Sequence, residues 1–387
     1  MKMKTVLMCM GTRPEIIKLA PLYHALRAQP GINTVLLHSG QHDVLADEMY
    51  MFFDMIPDYR FHLTRQSPTL GHLFALIMDH LDNLFGEIKP DAVLVQGDTS
   101  TALASALTAF YYQCRIGHIE AGLRSFSEYE PFPEEKNREL ISHLAHWHFA
   151  PTPQARQNLE QEHISAQHIY SVGNTIVDAV NWASRHLQES GLHVSESLRP
   201  MIQWLDEHRD SKRLVLVTAH RRESWEGDIA NIAHAIHTAA ARFPDLHFVW
   251  PVHPNPVVRK AVHQTLQGLD CGVRKQIYLI DPIGYPALIW ILQRAWLVLT
   301  DSGGIQEESM TLGVPVLVLR NKTERPEVIT AHGGLLIGTH ADKIVRCIQS
   351  LRDEPDYYAS FKNTSNPFGD GHSAERITDI LTRQLLC

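Results

Sequence analysis

The chain has 387 residues, long for one core, so two domains are expected. Its 44% hydrophobic and 20% charged content is ordinary for a soluble globular protein and excludes a disordered or fibrous chain. A net charge of -8 argues against a general nucleic-acid binder, while local Arg and Lys clusters still allow a small anionic ligand.

The opening stretch MKMKTVLMCMGTRPE holds two lysines and a short apolar run. The run is too short for a signal-peptide core and lacks a small-residue cleavage site, so it reads as a first buried strand. A helix is predicted from near Pro14, a residue suited to a first helical turn, with Pro21 kinking it. NTVLLHS reads as a second strand ending at Gly40, and LGHLFALIMDHLDNLFGEI as a helix that stops before Lys89-Pro90. DAVLVQG, CRIGHIEAG and HWHFAPT are further strands, with the small-residue helix STALASALTAFYYQ after the first of them. A long helix through YSVGNTIVDAVNWASRHL then leads into the polar stretch ESGLHVSESLRPMIQWLDEHRDSK, which reads as the linker and the start of the second domain.

RLVLVTAH, LHFVWPVHP, QIYLIDPIG, WLVLTDSGG and PVLVLRN supply the strands of the second half, and SAERITDILTRQLLC a closing helix. The expected division is residues 1–172, joined by 366–387, and residues 173–365. Both parts read as doubly wound α/β domains. The five cysteines are scattered, without a CxxC pair, so neither a disulfide framework nor a metal site is expected. No apolar stretch approaches membrane-spanning length, and a cytoplasmic protein is expected.

Five apolar runs end in polar turns: at Gly11-Thr12-Arg13-Pro14-Glu15, Gly97-Asp98-Thr99, Glu120-Ala121-Gly122, His220-Arg221-Arg222-Glu223 and Asp301-Ser302-Gly303-Gly304. Ligands of open α/β sheets bind just past the carboxyl ends of strands, so these turns are the candidate site. Gly303 and Gly304 let a backbone approach a ligand, and the helix they open offers free N–H groups to an anion. Ser302 adds a hydroxyl, and Glu308 is placed to accept from ribose hydroxyls; the alternative is a Gly-rich turn with a helix cap. Arg13 and Lys18 suit a phosphate or diphosphate, or else a solvated helix surface. Asp98, Glu120 and Glu134 are acid/base candidates, with Glu134 alternatively a first-turn carboxylate favoured by the helix dipole. His220 and His253 are strand-end histidines, the first a catalytic candidate and the second a ligand contact.

Together these strings resemble the non-hydrolysing UDP-N-acetylglucosamine 2-epimerase family. GTRPE with Lys18, SGQH, QGDTST, HIEAGLR, PFPEE followed by NR, HRRES, HPNP, TDSGGIQEE and TERPE occur in the family's order from residue 11 to 328. The resemblance implies two Rossmann-like domains facing across a cleft, a glycosyltransferase-B-like fold, with the C-terminal helix crossing back to the first. It implies a homodimer and an enzyme that inverts C2 of UDP-GlcNAc to give UDP-ManNAc, using neither NAD nor metal. Proton removal at C2 and loss of UDP would give 2-acetamidoglucal, to which UDP adds back. A related UDP-2-acetamido sugar, or a GT-B UDP-sugar glycosyltransferase, is the alternative. By motif position Asp98, Glu120, Glu134 and His220 match the family's catalytic group, and Arg13, Lys18, Ser302, Gly304, Glu308 and Arg325 its UDP contacts. Gln41, Arg65 and His253 match a second, regulatory sugar-nucleotide site, although Asp43-Val44 stands where a later glutamine is usual. The stretch Ser125–Glu130 is also more acidic than the family's.

Overall fold

Val6, Leu7, Met8, Cys9 and Met10 are all fully buried in β1 (Lys4–Met10), which lies within a parallel sheet. The computed structural model describes residues 3–43, 46–192, 196, 198–208, 211–219, 227–267 and 271–386. Contacts divide the chain into two units, Met1–Trp182 with Phe368–Cys387, and Ala183–Pro367.

In the first unit β1 is followed by α1 (Arg13–Arg27), β2 (Ile32–His38), α2 (Ala46–Phe52), β3 (Tyr59–Arg60) and α3 (Leu70–Ile88). Next come β4 (Ala92–Gln96), α4 (Ser100–Tyr111), β5 (Arg115–Ile119), α5 (Glu134–Leu144), β6 (Trp147–Ala150), α6 (Pro153–Gln161) and β7 (Ile169–Ser171). The sheet order is β3-β2-β1-β4-β5-β6-β7, parallel throughout. Because both faces of such a sheet are covered, its strands are continuous apolar runs rather than alternating ones. Leu7, Cys9, Val93 and Val95 pack with Ile77, Leu81 and Phe85 of α3 on one face. The buried Ala102, Ala104, Ala106 and Ala109 of α4 let α3 approach closely. A helix α7 (Thr175–Ser190) carries the chain from one unit into the next.

The second unit begins its own succession with α8 (Arg199–Glu207), β8 (Arg213–Thr218), α9 (Asp228–Arg242), β9 (Leu246–Pro251), α10 (Pro256–Thr265) and α11 (Cys271–Arg274). It continues with β10 (Ile277–Ile280), α12 (Tyr285–Leu292), β11 (Ala295–Thr300), α13 (Gly303–Thr311), β12 (Val316–Val318) and α14 (Pro326–Thr330). It closes with β13 (Gly334–Leu336), α15 (Ala341–Asp353) and α16 (Pro355–Lys362). This sheet, β10-β9-β8-β11-β12-β13, repeats the winding of the first. Its core joins α9 and α15 to the strands through Ile232, Ile236, Phe248, Leu299 and Ile348. The last helix, α17 (Ser373–Leu386), belongs to the first unit and packs on α1.

The stretch expected as a linker and the start of the second domain contains α8. Met201 and Leu205 are buried on one side of it, and Trp204 stacks on His208 with centroids 4.4 Å apart and meets His247 at 4.3 Å. One amphipathic turn every three to four residues was masked there by the surrounding polar residues.

Gly122, in the turn after β5, has φ 91°, and a Cβ on it would meet the Ala155 carbonyl oxygen at 2.2 Å. Gly122→Ala is expected to lower unfolding free energy by about 2–3 kcal/mol through backbone strain and this clash. A urea midpoint unchanged by the substitution would contradict that account.

Candidate active site

Strand order reverses between β1 and β4, so the turns after these two strands flank the crevice where a doubly wound sheet binds its ligand. Gly11 closes the first turn, and a Cβ there would lie 2.1 Å from Ser39 Oγ and 2.4 Å from Thr101 Oγ1. Thr12 caps α1, but its hydroxyl donates to Glu15 Oε2 at 2.8 Å instead of closing the helix end. Glu15 is wholly buried; its Oε2 also accepts the Gly11 N–H at 3.0 Å, and its Oε1 accepts the Thr99 hydroxyl at 2.7 Å. Burial pushes this carboxyl up to about 7, against the lowering effect of those three donors.

Lys18, on the second turn of α1, places Nζ 2.7 Å from each carboxylate oxygen of Glu120. Both side chains are nearly inaccessible, 11% and 4% exposed. Glu120 follows β5 with φ 65°, a left-handed conformation that costs a non-glycine residue energy and is held here by its surroundings. Gln96, the last residue of β4, donates to the same carboxylate through Nε2.

Asp98 lies one turn away. Its Oδ2 receives Arg138 Nη2 at 2.5 Å, and its backbone carbonyl accepts from Asn137 Nδ2 at 2.7 Å. Burial raises the Asp98 carboxyl above its usual range; Glu120 and Glu134 add to the rise, and Arg138 and Lys18 oppose it. The preceding Gly97 is held by His118 Nε2 on its carbonyl at 2.7 Å and by its own N–H on the Ile119 carbonyl at 3.0 Å. Glu135 is buried and accepts the Ser125 and Phe126 N–H groups, each at 3.0 Å or less, which pins the loop after Arg124. Glu134, the first residue of α5, is half-buried and close enough to Asp98 to act on its charge.

The second unit presents a comparable turn after β11. Thr218 at the end of β8 donates to Thr300 Oγ1 at 2.6 Å, and Thr300 Oγ1 accepts the Ser302 N–H at 3.0 Å. Ser302 starts α13, but its side chain makes no capping bond. Gly303 and Gly304 need glycine for neither packing nor φ: a Cβ on Gly304 would meet nothing within 4 Å. Arg325 donates through Nε to Glu307 Oε1, and Thr323 donates to Gln306 at 3.0 Å, which ties the loop before α14 to α13. Glu308 is buried one turn along.

Within the first unit the structure thus gathers Lys18, Asp98 and Glu120, with Glu134 beside them. Lys18, expected at the diphosphate, donates to both carboxylate oxygens of Glu120. Arg13 heads α1 with an exposed side chain. Gln41 sits in the same turn cluster, its Oε1 accepting the Thr101 N–H at 3.0 Å and hydroxyl at 2.7 Å. Arg65 is elsewhere, on the carbonyls of Pro68 and Thr69 before α3. His253 belongs to the second unit, where its Nδ1 accepts the Asn255 N–H at 3.2 Å. His220 lies outside the described residues. Glu15, Gln96, Thr99, Arg138 and His118 were not read as site residues. For Glu15 a signal existed, since Thr12 and Glu15 have capping-box spacing. Arg138 had only its place in the NR string, three residues after Glu135.

Residues 24–382 match the family model described as UDP-N-acetylglucosamine 2-epimerase. The UDP-N-acetylglucosamine 2-epimerase of Escherichia coli K12 is 42% identical over 376 residues, covering 97% of this chain and 98% of that protein. The structure of a putative UDP-N-acetylglucosamine 2-epimerase from Listeria monocytogenes superposes with a TM-score of 0.88 at 35% identity, covering 100% of this chain and 98% of that one. The UDP-GlcNAc 2-epimerase of Neisseria meningitidis, bound to UDP-GlcNAc, gives a TM-score of 0.87 at 36% identity, covering 98% and 100%.

Removing one partner of a buried ion pair strands the other charge. Lys18→Met is therefore expected to cost about 3 kcal/mol of stability. Adding Glu120→Gln should recover most of that loss in the double variant. Additive losses in denaturant unfolding at pH 7 would show that the two side chains do not act as a pair.

Proposed function

The chain belongs to the UDP-N-acetylglucosamine 2-epimerase family, and from that premise we propose that it interconverts UDP-GlcNAc and UDP-ManNAc without hydrolysing them. The observation that carries the reading is the pairing of two strand-end carboxylates with two cations, Glu120 with Lys18 and Asp98 with Arg138, at the switch point of the first sheet.

Inverting C2 requires a proton to leave one face and another to arrive at the opposite face, so at least two proton-transfer groups are needed. We assign these steps to Asp98, Glu120, Glu134 and His220. As the C2–H bond breaks, its proton passes to a basic side chain. The electron pair forms the C1=C2 bond of 2-acetamidoglucal, and the anomeric C–O bond breaks with its electrons going to UDP. In the return step a diphosphate oxygen bonds to C1 and a proton is delivered to the other face of C2. The raised Asp98 carboxyl brings its basicity nearer neutral pH, which favours proton transfer there. Lys18 keeps Glu120 oriented through two hydrogen bonds. For the nucleotide we assign Arg13 in the first unit and Ser302, Gly303, Gly304, Glu308 and Arg325 in the second. The room beside Gly304 and a Ser302 hydroxyl that makes no capping bond support a diphosphate at the start of α13, where negative charge develops as UDP leaves.

Proton NMR with UDP-GlcNAc in D2O, without added NAD or metal, tests the reaction. UDP-ManNAc carrying deuterium at C2 is expected, and Glu120→Gln should reduce its rate by about 100-fold or more while UDP still binds. Free ManNAc with UDP would place the protein among hydrolysing enzymes, and no turnover with UDP bound would favour a transferase or another UDP-2-acetamido sugar.

A cytoplasmic homodimer is part of the same proposal. Phe110, Tyr111 and Tyr112 at the end of α4 are 53%, 66% and 41% exposed, an aromatic patch that a second copy would cover. Light scattering should give twice the chain mass, falling to one chain for Phe110→Glu with Tyr111→Glu; a monomeric parent protein would refute the dimer.

A further inference from the structure

We propose that Glu15 is a positioning residue for this reaction: its carboxylate ties the turn after β1 to the turn after β4 and so sets Arg13 and Asp98 in register. The inference rests on the epimerase reading above, since Arg13 and Asp98 take their roles from it.

One carboxylate holds the starts of two helices. At α1 it takes the Gly11 N–H at 3.0 Å and the Thr12 hydroxyl at 2.8 Å. Thr12 therefore spends its hydroxyl on Glu15 and leaves the end of α1 without a side-chain cap. At α4 Glu15 takes the hydroxyl of Thr99, whose Oγ1 in turn accepts the Ala102 N–H at 3.0 Å and caps that helix. Arg13 follows Thr12 directly, and Asp98 directly precedes Thr99. The tie thus spans 84 residues of sequence between the two turns that flank the switch point.

The tie also needs the ionised form. All three partners of Glu15 donate, so a proton on Oε2 would point at two donors, and one on Oε1 would force the Thr99 hydroxyl to turn away. Among the described residues no cation pairs with Glu15, unlike Glu120 and Asp98. The titratable groups acting with it are Cys9 of β1, which burial pushes up to about 12, and Tyr50 of α2, whose phenol burial also raises. Both remain neutral around pH 7, so they add no charge as Glu15 itself titrates near 7.

A group that only stabilised α1 would change activity by the same factor at every pH. Glu15→Gln keeps the shape but has one acceptor and cannot ionise, so it resembles the protonated parent. The ratio of parent to variant kcat/KM for UDP-GlcNAc is expected to be near one at pH 6. It should rise through pH 7 to a plateau of roughly ten-fold above pH 8, the direction set by ionisation of the parent. Thr99→Val should lower kcat by a similar roughly ten-fold with KM within about two-fold, and Thr99→Ser should recover most of the loss. These two variants decide the matter if Glu15→Gln does not fold. A pH-independent ratio, or a Thr99→Val enzyme with unchanged kcat, overturns the role of Glu15 and leaves the epimerase reading standing. A parent protein with no turnover of UDP-GlcNAc overturns that reading, and the role of Glu15 falls with it.

Discussion

Burying carboxylates at the ends of parallel strands is the constraint on which the first unit is organised. Taking an ionised carboxylate out of water is unfavourable unless hydrogen bonds or an opposite charge replace its hydration. The chain solves this in four ways within one region. Glu120 has a cation on both oxygens, Asp98 an arginine on one, and Glu135 two backbone N–H groups with Arg138 at 3.4 Å. Glu15 has only uncharged donors. Each solution draws in a residue from another element, so satisfying the charges also fixes the turns.

The second unit has the same winding but a different local chemistry. Its turn after β11 is held by two threonines in series, Thr218 and Thr300, beside the wholly buried Asp301. Its charged pair, Arg325 with Glu307, ties a loop to α13 instead of filling the turn. Gly304 leaves room beside the start of α13, where no side chain caps the helix N–H groups, which suits binding an anion. The first unit's turns, crowded with side chains, suit proton transfer. One winding repeated twice thus carries two different sets of strand-end side chains.

Most strands were legible because a strand buried on both faces is a continuous apolar run, as in TVLMCM and RLVLVT. Three edge strands were not: β3 has two residues, and β7 and β13 three each, whereas the edge strand β10 was legible in QIYLIDPIG. Asp98 and Glu120 were legible for the same reason as their strands, being the first acids past an apolar run. What supports them was not. Lys18 and Glu120 are 102 residues apart, and Thr99 and Glu15 84 apart, so only the strand order brings them together. Lys18 accordingly read as a phosphate contact, since its sequence neighbours are Arg13 and a helix start.

The contrast between His118 and its neighbours shows how the site's response to pH is confined. His118 is fully buried, and its Nε2 must donate to the Gly97 carbonyl, so Nδ1 carries no proton. Burial lowers its pKa to about 3, with the Gly97 bond opposing the shift. The ring therefore stays neutral wherever the protein is folded near neutral pH, and its grip on the turn before Asp98 does not change as pH varies. Glu15 and Asp98 are shifted the other way by the same physical cause, because desolvation favours the uncharged form of an acid as of a base. Lowering the pH from neutral consequently protonates Glu15 while leaving the bond between His118 and Gly97 as it was. Loss of activity on the acid side then reports the carboxylates, Glu15 through its tie between the two turns, and not a change at His118.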